Sequence, residues 1–379
     1  MTGSGVVRPP LRLGVEEEFL LLDPDTGQSS PRSRAVIEAV PADWRAHLQY
    51  EFLSAQVEIG TPPTRDLGEL ERSLADLRGT VAAAARSAGA RLAAVGAPPL
   101  PGPAAPVVAR PRYLELANRY GALADGTALN GMHVHVEVAD RDLAVRVLNH
   151  VRPWLPVLAA VSANSPYADG RDTGFASWRS VRWGTWPTVG PTPLLRSPAH
   201  YAELVERLID GGVIMDEGMV YWFARLSRHL PTVEIRLGDV HATVADAVLS
   251  AALVRGLVGR ALDDVAAGAP VPAVPDALLR AAHWAVARDG LAGRVVDPVS
   301  GAQRTAGRLL RDLVTRITPV LRRHGDLAAV REGVQRLRTA GIGAARQRAH
   351  VRATGTVEAL PPYLTAMTEP AEAVADFAA

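Results

Sequence analysis

Residues 13–23 read LGVEEEFLLLD, three glutamates in a row inside an apolar run. A half-buried strand alternates its faces with period two, so Glu16 and Glu18 share one face while Val15, Glu17 and Phe19 share the other. Two carboxylates side by side repel unless a cation or a guanidinium sits between them. A chain folded around this strand must supply that charge, and a metal site is the first expectation it raises.

Three further stretches share the design. In EFLSAQVEIGTPP, Val57 and Ile59 alternate with Glu58, and Pro62-Pro63 stops the strand. In MHVHVEV, Met132, Val134, Val136 and Val138 oppose His133, His135 and Glu137; in TVEIRLGDV, Val233, Ile235 and Leu237 oppose Glu234, Arg236 and Gly238. Each strand alone reads equally well as a solvated face of an antiparallel sheet. Solvated faces favour Thr, Ser and mixed charge, whereas here the polar positions are mostly potential ligands, and the four together favour a site. Carboxylates with one imidazole suit Mg²⁺ or Mn²⁺. Zn²⁺ would favour more His, and no HExxH occurs. His133 is preferred to His135 as the imidazole. Arg236, two residues from Glu234, either bridges metal and phosphate or forms a cross-strand ion pair of small worth.

Two absences narrow the chemistry. The chain has no Cys, which excludes disulfides, thiolate nucleophiles and Cys-based zinc or iron–sulfur sites. It has no Lys either, so all 41 basic residues are Arg, and P-loop and Schiff-base lysines are excluded. Phosphate would be held by Arg, backbone N–H or metal, which points to phosphoryl transfer on a sheet. A net charge of +1 gives no electrostatic case for nucleic acid or an anionic membrane. No apolar run spans a bilayer and the first residues lack a signal core, so a soluble cytoplasmic protein is expected.

Helical spacing predicts helices near residues 34–40, over 65–89, at 141–151, at 154–163 and at 198–210, then four more from residue 242 onward, with Gly290 and Gly325 as stops. Residues 165–198 read as one long loop rich in Gly, Pro, Arg and Trp. Its TGFASWRSVRWGTWP places Arg179 and Arg182 beside Ser177 and Ser180. It is either a surface loop stapled by Trp178, Trp183 and Trp186 or a flap closing over an anion. Strands before residue 240 and helices after it give an α+β fold, with helices against one side of an antiparallel sheet.

In order along the chain, GVEEEF, QVEIGTP, GMHVHVEV, SANSP, DTGFASWRS, WPTVGP and TVEIRLGDV, with AVARDGLAGRVVDPVSG and GIGAARQR beyond them, resemble the carboxylate–amine ligase family, the glutamate–cysteine ligase type 2-like proteins of bacteria. The resemblance covers residues 11–350. It implies a glutamine synthetase-related fold: a curved, largely antiparallel sheet forming a funnel with packed helices, with ATP and Mg²⁺ (or Mn²⁺) on its concave face. One catalytic domain is expected over 11–355, strand-rich over 11–240 and helical over 241–355, with tails at 1–10 and 356–379. The resemblance implies metal ligation by Glu16, Glu18, Glu58, His133 and Glu234, phosphoryl contact by Arg236, and Glu51 facing the same site. Arg179, Arg182, Arg346 and Arg348 are its nucleotide or substrate contacts.

The implied reaction is ATP-dependent amide formation through an acyl phosphate, with glutamate as the default acid and cysteine or another small amine as acceptor, in a homodimer. Two other readings stay open on the same residues: a phosphotransferase that stops at the phosphorylated substrate, and a nucleotide-binding protein with a decayed site. Asn130, Thr185 and Phe223 depart from the family pattern, which has a Cys or small residue, a basic residue and an acidic residue there. These departures bear on the acceptor and the acid.

Overall fold

The structure is a computed structural model and describes residues 9–124, 128–297 and 300–369. Most of the expected lead-in, part of VVDPVSG and the last ten residues lie outside these.

The opening strand forms as read: β1 spans Leu13–Leu22. β2 (Leu48–Tyr50), β3 (Gln56–Gly60), β4 (Arg91–Ala93) and β5 (Gly131–Glu137) follow. The small hairpin β6–β7 (Tyr167–Ala168 and Arg171–Asp172) precedes β8 (Ala224–Leu226) and β9 (Thr232–Asp239), and a second hairpin, β10–β11 (Arg294–Val296 and Gln303–Thr305), comes last. The main sheet runs β2-β3-β1-β5-β9-β8, with β4 also on β1, and every pairing is antiparallel. β5 pairs the first half of β1 and β4 its last three residues, so β1 is the central strand.

Thirteen helices surround it among the described residues: α1 (Ser33–Ala39), α2 (Leu67–Ser87), α3 (Pro111–Tyr120), α4 (Arg141–Val151), α5 (Leu155–Ser162), α6 (Trp178–Trp183), α7 (Pro198–Asp210), α8 (Val244–Ala266), α9 (Asp276–Asp289), α10 (Ala306–His324), α11 (Leu327–Ala340), α12 (Gly343–Thr354) and α13 (Leu360–Thr368). Local chemistry sets their starts. Asp66, Asp140, Ser197 and Thr243 cap α2, α4, α7 and α8 by accepting a backbone N–H three residues on.

The odd-numbered face of β1 is apolar except at Glu17. Leu13 and Val15 join Val134, Val136, Ile235 and Leu237 in a core shared with α4, α5 and α8. Phe19 and Leu21 join Val57, Ile59 and the α2 residues Leu77 and Val81. The even face is divided. Glu16 and Glu18 look into a cavity, whereas Leu20 and Leu22 pack with Leu53, Tyr167, Leu360 and Leu364. Helices on one side only is therefore incomplete, because α13 closes the far end of the other face.

That helix falls in a segment expected to be a tail. Leu360 and Leu364 are fully buried, and the Ala94 N–H donates to Thr368 Oγ1 at 2.7 Å. Pro361 does not interrupt α13, because it sits in the first turn, where no N–H is needed. Leu364→Ala is expected to lower the unfolding free energy by about 2–5 kcal/mol. A denaturant midpoint equal to the parent's would restore the tail reading. The expected long loop likewise contains β6, β7 and α6. Among the described residues no helix is long and apolar enough to cross a membrane.

Candidate active site

The pairing register sets the site. Glu18 stands directly opposite Glu58 across β1–β3, and Glu16 opposite His133 across β1–β5. His135 faces Glu234 across β5–β9, and Glu234 faces Arg225 across β9–β8. The polar faces of five strands thus form one continuous patch. Above it lies a cavity of about 460 Å³, walled by Glu16, Glu18, Glu51, Glu58 and His133, and by Arg112, Arg179, Arg182, Arg225 and Arg236 with Tyr113, Tyr221, Trp183 and Trp186.

Glu16, Glu58 and His133 each bring one ligand atom within 4.8 Å of the others. His133 Nδ1 lies 3.1 Å from Glu16 Oε2, and its Nε2, buried without a hydrogen-bond partner, lies 3.6 Å from Glu18 Oε1. Glu18 Oε2 accepts the Gly131 N–H at 2.5 Å. His135 Nδ1 bonds Thr232 Oγ1 at 2.9 Å, and its Nε2 is 3.4 Å from Glu16.

The charges do not balance. Burial would raise the Glu16 carboxyl, but bonds to His133 and His135 outweigh it and hold the group well below the usual range. Glu58 is forced well up, first by burial and then by the charges of Glu16, Glu51 and Glu18. Burial and Glu18 push Glu51 up to about 8. Like charges directly opposite each other destabilise a sheet, so a cation would relieve this wall. Several carboxylates, one imidazole and the unpartnered His133 nitrogen fit a hard divalent ion.

Glu17 points the other way, as alternation requires. It is fully buried, and its two oxygens take Arg78 Nη2 at 2.5 Å and Nε at 2.9 Å. Glu234 corrects the expectation for a fifth ligand. Its oxygens are engaged by Arg225 Nε at 2.8 Å and Arg236 Nη1 at 2.7 Å, and it lies outside the Glu16–Glu58–His133 group. Burial works against its charge, yet Arg236 and Arg225 hold its carboxyl down to about 2. Its task in this arrangement is to orient two cavity arginines.

β9 carries a bulge here. Met132 pairs Gly238 and Val134 pairs Ile235, so Arg236 and Leu237 together oppose His133. Such an extra residue re-aims a side chain. Arg236 lies 5.6 Å from the Tyr221 ring centre, and its Nε has no partner. Arg179 is buried over the Trp183 ring at 4.8 Å, also with Nε unpartnered. A Cβ on Gly131 would lie 2.2 Å from Arg179 Nη2, which is why GMHVHV begins with glycine. Arg182 and Thr185 reach the cavity; Asn130 is buried against Gln56 and the Val95 carbonyl, and Phe223 packs on the His283 ring.

Arg346 and Arg348 are not brought to this site. Arg346 pairs with Asp246 of α8, and Arg348 grips Asp172 at 2.7 Å and the Phe175 carbonyl at 3.0 Å. GIGAARQR is structural: Gly343 leaves room for Asn164, and Gln347 Nε2 donates to the Asn164 carbonyl and Oδ1. Sequence reasoning missed Arg112, Tyr113, Tyr221 and Arg225. Only Arg225 left a signal, the alternation of ARL shortly before the strand that carries Glu234.

The description glutamate–cysteine ligase family 2 matches residues 12–362. A Salinispora arenicola protein provisionally named glutamate–cysteine ligase 2 is 49% identical over 362 residues, 95% of this chain and 96% of its own. A glutamate–cysteine ligase from Francisella tularensis, solved in complex with AMP, superposes with a TM-score of 0.67 at 15% identity, covering 97% of this chain and 92% of that one. A bifunctional glutathione synthetase from Pasteurella multocida gives 0.67 at 16% over 96% of this chain. The chain spans 52% of that larger protein. These two likenesses establish the fold.

Proposed function

Because the chain belongs to glutamate–cysteine ligase family 2, and is thus an ATP-dependent carbon–nitrogen ligase, we propose that it joins the γ-carboxylate of glutamate to cysteine or another small amine through an acyl phosphate. One observation carries this: carboxylates, an imidazole and five guanidinium groups wall a single cavity in a chain with neither Lys nor Cys. Such a wall supports charge neutralisation and positioning, with no enzyme nucleophile.

Glu16, Glu18, Glu58 and His133 would hold Mg²⁺ or Mn²⁺, which when bound neutralises phosphate charge. Arg236 and Arg179, both on the cavity wall, would meet phosphoryl oxygens, and Glu234 holds Arg236 in place. The substrate carboxylate attacks the γ-phosphorus in line and ADP departs. The amine then attacks the activated carbonyl and phosphate departs. Glu51, on the wall of the same cavity, is the carboxylate we assign to take the amine's proton once the metal has neutralised its neighbours.

The test is ADP release from ATP and Mg²⁺ over a panel of acids and amines, with mass detection of the amide. Glutamate with cysteine is expected to give amine-dependent ADP and one amide per ADP. A stable phosphorylated acid formed without amine would replace this reading by a phosphotransferase. No ADP from any pair would point to a decayed site.

A further inference from the structure

Asp239 ends β9 and is 1% exposed. Its Oδ2 accepts the Asn164 backbone N–H at 2.9 Å and the Ser165 hydroxyl at 2.7 Å, and its Oδ1 accepts the Ser177 hydroxyl at 2.7 Å. Gly96 makes space for it, since a Cβ there would meet the carboxylate at 2.7 Å. SANSP, DTGFASWRS and TVEIRLGDV, distant in sequence, therefore meet at one side chain that is not part of the cavity wall.

Both serines pass the contact onward. Ser177 is the N-cap of α6, its Oγ accepting the Ser180 N–H at 3.1 Å. Ser165 Oγ accepts the Arg179 backbone N–H at 3.0 Å. The first turn of α6 thus hangs from Asp239, and α6 is the element that carries Arg179, Arg182 and Trp183 to the cavity. The Arg179 guanidinium has no ion pair among the described residues. Its polar contact is a long one, 3.4 Å, to the Leu237 carbonyl, and the acids whose charge reaches it are Glu18 and Asp239. Arg179 is thus a buried cation on the cavity wall with no counter-ion of its own, held ready for an anion.

We propose that Asp239 is a positioning residue for phosphate binding: it fixes the first turn of α6 so that Arg179 and Arg182 meet an anionic ligand, and it acts on turnover only through them. The identity of the anion as a nucleotide rests on the ligase reading above. The positioning itself does not.

Asp239→Asn keeps the shape of the side chain, retains an oxygen for Asn164 and Ser165, and removes the charge. In the full chain, Mg²⁺–ADP binding by calorimetry is expected to weaken about tenfold or more, the loss of one charged hydrogen bond. KM for ATP should rise while KM for glutamate holds. In an Arg179→Ala, Arg182→Ala background the same substitution should change binding by less than about twofold, since coupled groups are not additive. Amide exchange over 178–183 should quicken while that of α8 stays slow. If Asp239→Asn does not fold, the paired Ser165→Ala and Ser177→Ala variant cuts both serine links between Asp239 and α6 and carries the same expectations. Full additivity with the paired Arg179→Ala and Arg182→Ala variant, or unchanged exchange in α6, overturns the proposal. Quickened exchange in a protein whose parent binds no Mg²⁺–ADP upholds the positioning and overturns the nucleotide reading instead.

Discussion

Glu58→Gln is expected to give a folded protein at least as stable as the parent and about a thousandfold or more slower. Loss of a metal ligand removes several kcal/mol of transition-state charge stabilisation, and each 1.36 kcal/mol is tenfold in rate. The stability half of the prediction comes from the register. Glu58 faces Glu18 directly and has Glu16 and Glu51 nearby, so in the metal-free protein its charge is a liability that the amide removes. Glu17→Gln, beside two of the same cluster in sequence, should behave in the opposite way. It leaves Arg78 buried with its carboxylate partner gone, which costs about 3–5 kcal/mol of stability, while the molecules that remain folded keep turnover close to the parent's. Steady-state ADP release and denaturant melts on the two variants separate the outcomes. An active Glu58→Gln enzyme would remove Glu58 from the site, and a stable but inactive Glu17→Gln would put Glu17 in it.

That contrast was legible in the sequence because period-two alternation follows from strand geometry and needs no partner to be known. The same rule placed Glu16, Glu18, Glu58 and His133 on faces that meet. It failed at Glu234 for a physical reason: alternation tells which face a carboxylate occupies, not whether arginines have already claimed it. Arg225 comes from the neighbouring strand, and the bulge that turns Arg236 depends on a register no single strand records. Arg112 and Tyr113 belong to α3, a largely exposed helix whose link to the cavity exists only in three dimensions. The hairpin and short helix inside residues 165–198 escaped because Gly, Pro and Trp punctuate them. α6 is held by Asp239, some sixty residues on, more than by its own propensity. Arg346 was drawn in by its motif, yet that motif braces Asn164.

The second large effect is a coupling of metal to protons. Glu58 and Glu51 carry carboxyl groups raised above their ordinary 4.5, Glu51 to about 8. A group whose folded-state pKa is raised makes the native state bind more protons than the unfolded chain, so stability falls as pH climbs from about 4.5 through the folded value. His135, where burial is outweighed by Glu16, is also raised, and its contribution falls in the same direction above its ordinary range. The opposing groups have finished titrating by then. Glu16 and Glu234 are lowered, and the stability they contribute is lost only at acid pH. Burial lowers His241 to about 4, His283 to about 3 and His324 to about 4, so their gain with pH is complete by about pH 7. Between about pH 7 and about pH 9 the metal-free protein should therefore lose roughly 1.4 kcal/mol per pH unit for each extra proton the native state holds. Saturating Mg²⁺ binds the deprotonated carboxylates and removes that loss, so the stabilisation gained on adding Mg²⁺ grows as pH rises. Melts in chelator and in Mg²⁺ across this range measure the growth directly. In weak buffer near pH 7, adding Mg²⁺ to the metal-free protein should release about one proton per site. A Mg²⁺ stabilisation that is flat with pH and releases no proton would mean the crowded carboxylates of β1 and β3 are not where the ion binds.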